Sequence, residues 1–172
     1  MEIKERILAI RQDRNFGDQQ RYFEQNPAQV NELIHFISVE HPYPLPEYAS
    51  WILSHLARKN SALIQPYESR IIDNLFNTSN QSVLRNLVNT LSALKLTDYR
   101  ESELVDLLIS YLQNHENKVA LQVYSMYVLL QFVEKYPELE HEILAVITLN
   151  EEGKSPAYMA GKRNFETALK KK

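Results

Sequence analysis

Sliding the chain past itself by 36 residues lays apolar positions on apolar positions through its second half, and few folds allow that. Ile71 falls on Leu107 and Ile143, Ile72 on Leu108 and Leu144, and Leu75 on Tyr111 and Ile147. Between these, Val83 falls on Val119, Leu84 on Ala120, Leu87 on Val123, Leu91 on Tyr127 and Leu94 on Leu130. Such an offset is about ten turns of a 3.6-residue helix, so one long helix matches itself for free. Here polar turns at 77–80, 97–98 and 114–117 reset the phase, and the shared offset therefore carries information. Upstream, Ala49, Ile52, Leu53 and Leu56 stand 35 residues before Leu84, Leu87, Val88 and Leu91, and Pro27 stands 39 before Pro66. A helix–turn–helix unit of roughly 36–39 residues is the period of a solenoid.

Taken in order, the chain predicts helix after helix. Ile3, Ile7, Leu8 and Ile10 mark a short amphipathic helix running to near Arg14, and Asp18 caps a second that buries Tyr22 and Phe23. Asn26-Pro27 reads as N-cap and first residue of a third, with Val30, Leu33, Ile34 and Ile37 inward. Pro42, Pro44 and Pro46 break it, and Pro46 opens the next, with Tyr48, Ala49, Ile52, Leu53, Leu56 and Ala57 inward. Pro66 opens the helix of Ile71, Ile72, Leu75 and Phe76, and the stripe from Val83 to Leu94 follows. Leu104 to Leu112, 119–137, Leu139 to Ile147 and 158–169 complete the series. In 119–137 only Gln122, Ser125 and Gln131 interrupt the apolar run before Glu134, so this helix is to be covered on several sides, with Gln122 and Ser125 as its bare edge. No period-2 segment is long enough for a convincing strand. The expected class is all-α.

With prolines opening the first helix of a pair (Pro27, Pro66), short polar turns, and Val83 with Arg85 or Val119 with Lys118 entering the second helix, the chain resembles the HEAT/armadillo family. Asn80 and Asn117 stand where those repeats usually place Asp. The resemblance covers roughly 26–150. It implies a right-handed α-α superhelix of helical hairpins, about eight or nine helices in one domain. Residues 1–25 then form an N-terminal cap, and 151–172 a C-terminal capping helix with a basic tail.

Composition narrows the chemistry. Three glycines in 172 residues nearly exclude glycine-rich phosphate loops, and the absence of Cys excludes disulfides and thiolate chemistry. The histidines (35, 41, 55, 115, 141) have no ligand spacing, so neither metal nor cofactor is expected. Residues 154–172 carry six basic side chains against Glu166, a local charge of +5, which leaves −8 for the rest of a chain whose net charge is −3. That is a poor nucleic-acid footprint. The tail is expected to be solvated and to lean on Glu138, Glu140, Glu142, Glu151 and Glu152. No signal peptide is read in the charged N-terminus, and no membrane span is expected, so a cytoplasmic location is the default.

In a solenoid the second helix of each pair lines the concave face. Its outward positions form rows: Trp51, Asn86 and Gln122 in one, Ser54, Asn89 and Ser125 in another, flanked by His55, Arg58 and Arg85. Asn and Gln rows can hydrogen-bond an extended peptide, with Trp51 as anchor, or they can satisfy one another inside the stack. The expectation is a non-enzymatic scaffold with a protein or peptide partner. The alternative is an enzyme. One version is a HEAT-like DNA glycosylase, for which the proposed groove lacks a carboxylate beside Trp51. The other rests on residues 159–164, Met-Ala-Gly-Lys-Arg-Asn, which look like the end of the signature loop of the adenylosuccinate lyase superfamily. That family's loop serines fall here on Pro156 and Ala157, which removes the catalytic base the reaction needs.

Overall fold

The computed structural model describes residues 2–10 and 16–171, so the expected end of the first helix near Arg14 lies outside the described residues. Among them there is no strand, and the chain is all-α. Eleven α-helical segments take the place of the eight or nine expected: α1 (Ile3–Ala9), α2 (Phe16–Gln25), α3 (Gln29–His35), α4 (Leu45–Lys59), α5 (Ser61–Ile64), α6 (Glu68–Phe76), α7 (Gln81–Ser92), α8 (Glu101–Gln113), α9 (Val119–Lys135), α10 (Leu139–Leu149) and α11 (Pro156–Lys170). The chain divides into two compact units, Met1–Lys95 and Leu96–Lys172.

In the first unit α4 packs along α7, α3 and α1 also lie on α4, and α6 lies on α7. Ile7, Phe23, Leu33, Ile34, Ile52, Leu53, Ile71, Ile72, Leu87 and Val88 are removed from solvent and form its core. Two proline readings need correction. The carbonyl of Asn26 accepts from Gln29 N at 2.9 Å while its side-chain Nδ2 donates to the Tyr22 carbonyl at 2.8 Å. Asn26 thus closes α2 instead of capping α3, which begins two residues after Pro27. Pro66 sits in a 3-10 turn, Gln65–Tyr67, behind the short α5 that Asn60 caps through Leu63 N. Only then does α6 begin. Asn80, by contrast, is a full N-cap: its Oδ1 accepts from Ser82 N at 2.9 Å and Val83 N at 3.2 Å, satisfying donors that the first turn of α7 leaves open.

The second unit is built on α9. α8 and α11 pack against it, and α10 touches both α8 and α9. Gly161 in α11 meets α9 so closely that a Cβ there would stand 2.9 Å from both Val123 methyls. The bare edge expected at Gln122 and Ser125 is covered. Both are removed from solvent. Gln122 Nε2 donates to the Asn114 carbonyl at 2.9 Å and its Oε1 accepts from Lys154 Nζ at 3.1 Å. Ser125 Oγ donates to the Leu121 carbonyl at 2.8 Å. The half-exposed positions of α9 are instead Val119, Ala120, Val123, Tyr124, Tyr127, Leu130 and Gln131.

This exchange has one geometric cause. Burial along α7 matches burial along α9 at an offset of 38, pairing Val83 with Leu121, Leu87 with Ser125, Val88 with Met126, Leu91 with Leu129 and Leu94 with Phe132. Between α4 and α7 the matching offset is 34, pairing Trp51 with Arg85, and Leu53 with Leu87. The mean is 36, but each step departs from it by two residues. One residue of phase error turns a side chain about 100° round its helix, so predicted rows rotate from the open face into the stack.

Candidate functional site

A groove of about 490 Å³ opens in the first unit, lined by Ile10, Tyr43, Glu47, Tyr48, Trp51, Ser82, Arg85 and Asn86. α4 supplies Glu47, Tyr48 and Trp51 at spacings of one and three residues, which places them on one side of that helix. Across from them α7 supplies Ser82, Arg85 and Asn86. Tyr43 overhangs from the proline-rich loop, 76% exposed, just before a cis peptide bond to Pro44.

The Trp51 ring is held on its other sides. Its centroid lies 4.0 Å from that of His55 in a tilted stack and 5.9 Å from Phe16 edge-on. His55 Nδ1 lies 2.9 Å from the Trp51 carbonyl. A carbonyl only accepts, so that contact puts the imidazole proton on Nδ1. Ser54 Oγ donates to the same carbonyl at 2.8 Å. The indole is thereby fixed in place, half-exposed, with surface left toward the groove.

The predicted site residues separate into two groups. Trp51 and Arg85 line the groove, His55 and exposed Arg58 continue the Trp51 side of α4, and Asn86 forms part of the floor. Ser54 and Asn89 are buried, as are Gln122 and Ser125 in the second unit. Asn86 is itself 4% exposed, its Nδ2 donating to Ser50 Oγ at 3.0 Å and to the Glu47 carbonyl at 3.4 Å. It ties α7 to α4.

Five groove residues, Ile10, Tyr43, Glu47, Tyr48 and Ser82, are not among the predicted ones. The apolar stripe of α4 places Tyr48 inward, but it follows Glu47 and precedes Trp51 by three, the period of the open face. Tyr43 stands between Pro42 and Pro44, where a helix core is impossible, and that placement was the signal available. Glu47 corrects the expectation that no carboxylate lies beside Trp51. Its Oε1 accepts from Asn80 Nδ2 at 2.6 Å, and its Oε2 is shut off from solvent without a hydrogen-bond partner among the described residues. Sitting in the first turn of α4, its charge faces the positive end of the helix dipole. Arg85 differs. Its Nε and Nη2 make only long contacts of 3.3 Å to Asn86 Oδ1, and it forms no ion pair with any described residue.

The second unit has another recess, about 690 Å³, lined by Asp98, Arg100, Glu101, Ser102, Val105, Asp106, Tyr136, Glu138 and Leu139. Three of its charged side chains, Asp98, Arg100 and Glu101, are engaged by neighbouring ones. Lys135 Nζ donates to Asp98 Oδ1 at 2.5 Å and to Glu101 Oε2 at 2.6 Å, and Arg100 pairs with Glu103 at 2.8 Å. The Lys135 hydrogen bond, and then its charge, hold the Asp98 carboxyl below its ordinary value.

Residues 159–164 lie wholly within α11, not in a loop. Lys162 pairs with Glu151 and reaches Glu166 at 3.9 Å, Asn164 Nδ2 donates to Tyr127 Oη at 3.0 Å, and Gly161 seats the helix on Val123. The segment fastens α11 to its surroundings. Its likeness to a lyase signature loop ends there. Part of the basic tail does lean on an acidic neighbour, through Lys162 and Glu151. Among the described residues no helix is long and apolar enough to cross a membrane.

Hairpins of helices, α3 with α4, α6 with α7 and α8 with α9, define a helical-repeat protein. Residues 12–169, nearly the whole chain, match the HEAT repeat domain, and the chain belongs to the HEAT repeat family. No curated protein and no solved structure matches it significantly.

Proposed function

We propose that this chain is a non-enzymatic scaffold that binds a protein or peptide partner along the concave face of its repeats, at the groove between α4 and α7. The observation that supports this most is Trp51: a large aromatic side chain, braced by His55 and Phe16, lining a 490 Å³ groove together with Tyr43 and Tyr48. Trp, Tyr and Arg dominate binding energy where one protein grips another, the rings because they bury much area with only two side-chain torsions, and Arg because its planar fork makes several charge-assisted hydrogen bonds. The Asn and Ser rows serve the stack in this reading, and the aromatic residues with Arg85 serve the partner.

A base-handling enzyme needs a carboxylate presented to its substrate. Glu47 shares the groove with Trp51, yet its exposed oxygen is bonded to Asn80 and the other is closed off, so neither is both open and unengaged. The test is capture from a lysate of the native organism on immobilised full chain. Trp51→Ala together with Tyr43→Ser is expected to lose proteins that the wild type retains, with the melting temperature held within a few degrees. Equal recovery by both would remove the groove from the binding site.

A further inference from the structure

Deepening that reading, and resting on it, we infer that the groove recognises a carboxylate: its partner is a peptide segment that places an Asp or Glu side chain next to an apolar one. Only two charged side chains line the groove among the described residues, Glu47 and Arg85. They are not equivalent to an incoming ligand. The Glu47 carboxylate has one oxygen sealed from solvent and its exposed one already held by Asn80, so it offers an incoming cation a single, shared oxygen. Arg85 is half-exposed, forms no ion pair with a described residue, and spends two N–H groups on long contacts to a neutral amide on its own helix. The remaining donors of its planar fork match a carboxylate in a bidentate pair.

Its surroundings add to the selection. Trp51 contributes apolar area beside the guanidinium, which favours an aliphatic or aromatic residue adjacent to the acid in the partner. Arg58, exposed seven residues beyond Trp51 on the same side of α4, extends the positive charge along that helix. A basic partner segment meets Arg85 and Arg58 as like charges. Charge complementarity therefore commits the groove to an acidic-apolar segment.

The experiment is selection of phage-displayed random octapeptides on the full chain, counter-selected on Trp51→Ala. Peptides kept by the wild type and lost by Trp51→Ala are expected to carry Asp or Glu beside Leu, Ile, Phe or Trp. A resynthesised peptide is expected to bind Arg85→Gln about tenfold to a hundredfold more weakly, the loss typical of a charge-assisted hydrogen bond. The same peptide with its acids replaced by Asn and Gln is to lose as much on the unaltered protein, a measurement independent of how Arg85→Gln folds. Selected peptides that depend on Trp51 but are basic or uncharged, or that ignore both changes, overturn the carboxylate assignment and leave the groove reading standing. A selection yielding no peptide that Trp51→Ala loses overturns both.

Discussion

Gly161→Ala is the most exacting test of how the second unit is packed. Replacing glycine inside a helix with alanine ordinarily stabilises it by about 1 kcal/mol, because less backbone freedom is lost on folding. Here the new Cβ would stand 2.9 Å from Val123 Cγ1 and Cγ2 and 3.4 Å from its Cβ, against an optimum of about 3.5–4.0 Å between carbons. Val123 cannot swing away cheaply, since a β-branched residue in a helix has one strongly preferred rotamer. Overpacking of this kind costs about 1–3 kcal/mol. The propensity gain is therefore cancelled or reversed in the native background. With Val123→Ala the obstruction is gone and the same substitution is expected to stabilise by about 1 kcal/mol, so the two changes couple by about 1–3 kcal/mol. The one tryptophan, Trp51, lies in the other unit, so the readout is hydrogen exchange of amides in α9 and α11 for the four members of the cycle. If Gly161→Ala slows exchange equally with and without the Val123 side chain, the close approach of α11 to α9 is refuted.

Two further outcomes concern ionisable groups. Burial, with a smaller contribution from the Glu151 charge, pushes the Tyr158 hydroxyl up to about 12 from 10.0, while its Oη donates to the Ile147 carbonyl at 3.0 Å. The folded chain thus favours the neutral phenol: the contribution is complete below pH 10 and is lost as pH rises through about 12. Tyr158→Phe is expected to remove one late-titrating tyrosine from the alkaline absorbance curve, with Tyr111, raised by burial to about 12, remaining; an unchanged curve contradicts the assignment. Lys135→Ala is expected to return the Asp98 carboxyl to its ordinary range, read by carbon NMR. That ion pair contributes above the ordinary carboxylate value and disappears as pH falls through the lowered one, so an Asp98 titration indifferent to Lys135 would contradict the pairing.

The helices were legible because their apolar stripes are long and their turns carry capping residues. The limits of α9, Val119–Lys135, and the Asn80 cap of α7 follow from such signals. Proline misled at the starts: Pro27 and Pro66 fix a backbone angle suited to a helix, but equally to the turn that precedes one. The groove was half legible. Trp51 and Arg85 were named, yet the row was drawn through Asn86 and Gln122, because an offset averaging 36 conceals steps of 34 and 38. Sequence periodicity reports the phase within a helix, whereas the phase between helices depends on each intervening turn. Ile10, Tyr43, Glu47, Tyr48 and Ser82 escape the pattern for the related reason that an open face is defined by what fails to cover it.

The polar ties between α4 and α7 sit toward one end. Asn86, midway along α7, reaches Ser50 and the Glu47 carbonyl, and Glu47 in turn holds Asn80, so the ties lie in the first half of each helix. Directional bonds resist sliding and separation, while the apolar contacts farther along tolerate small displacements. The half of the pair that carries the groove is therefore the half pinned by hydrogen bonds, so Trp51 and Arg85 are presented on a fixed frame.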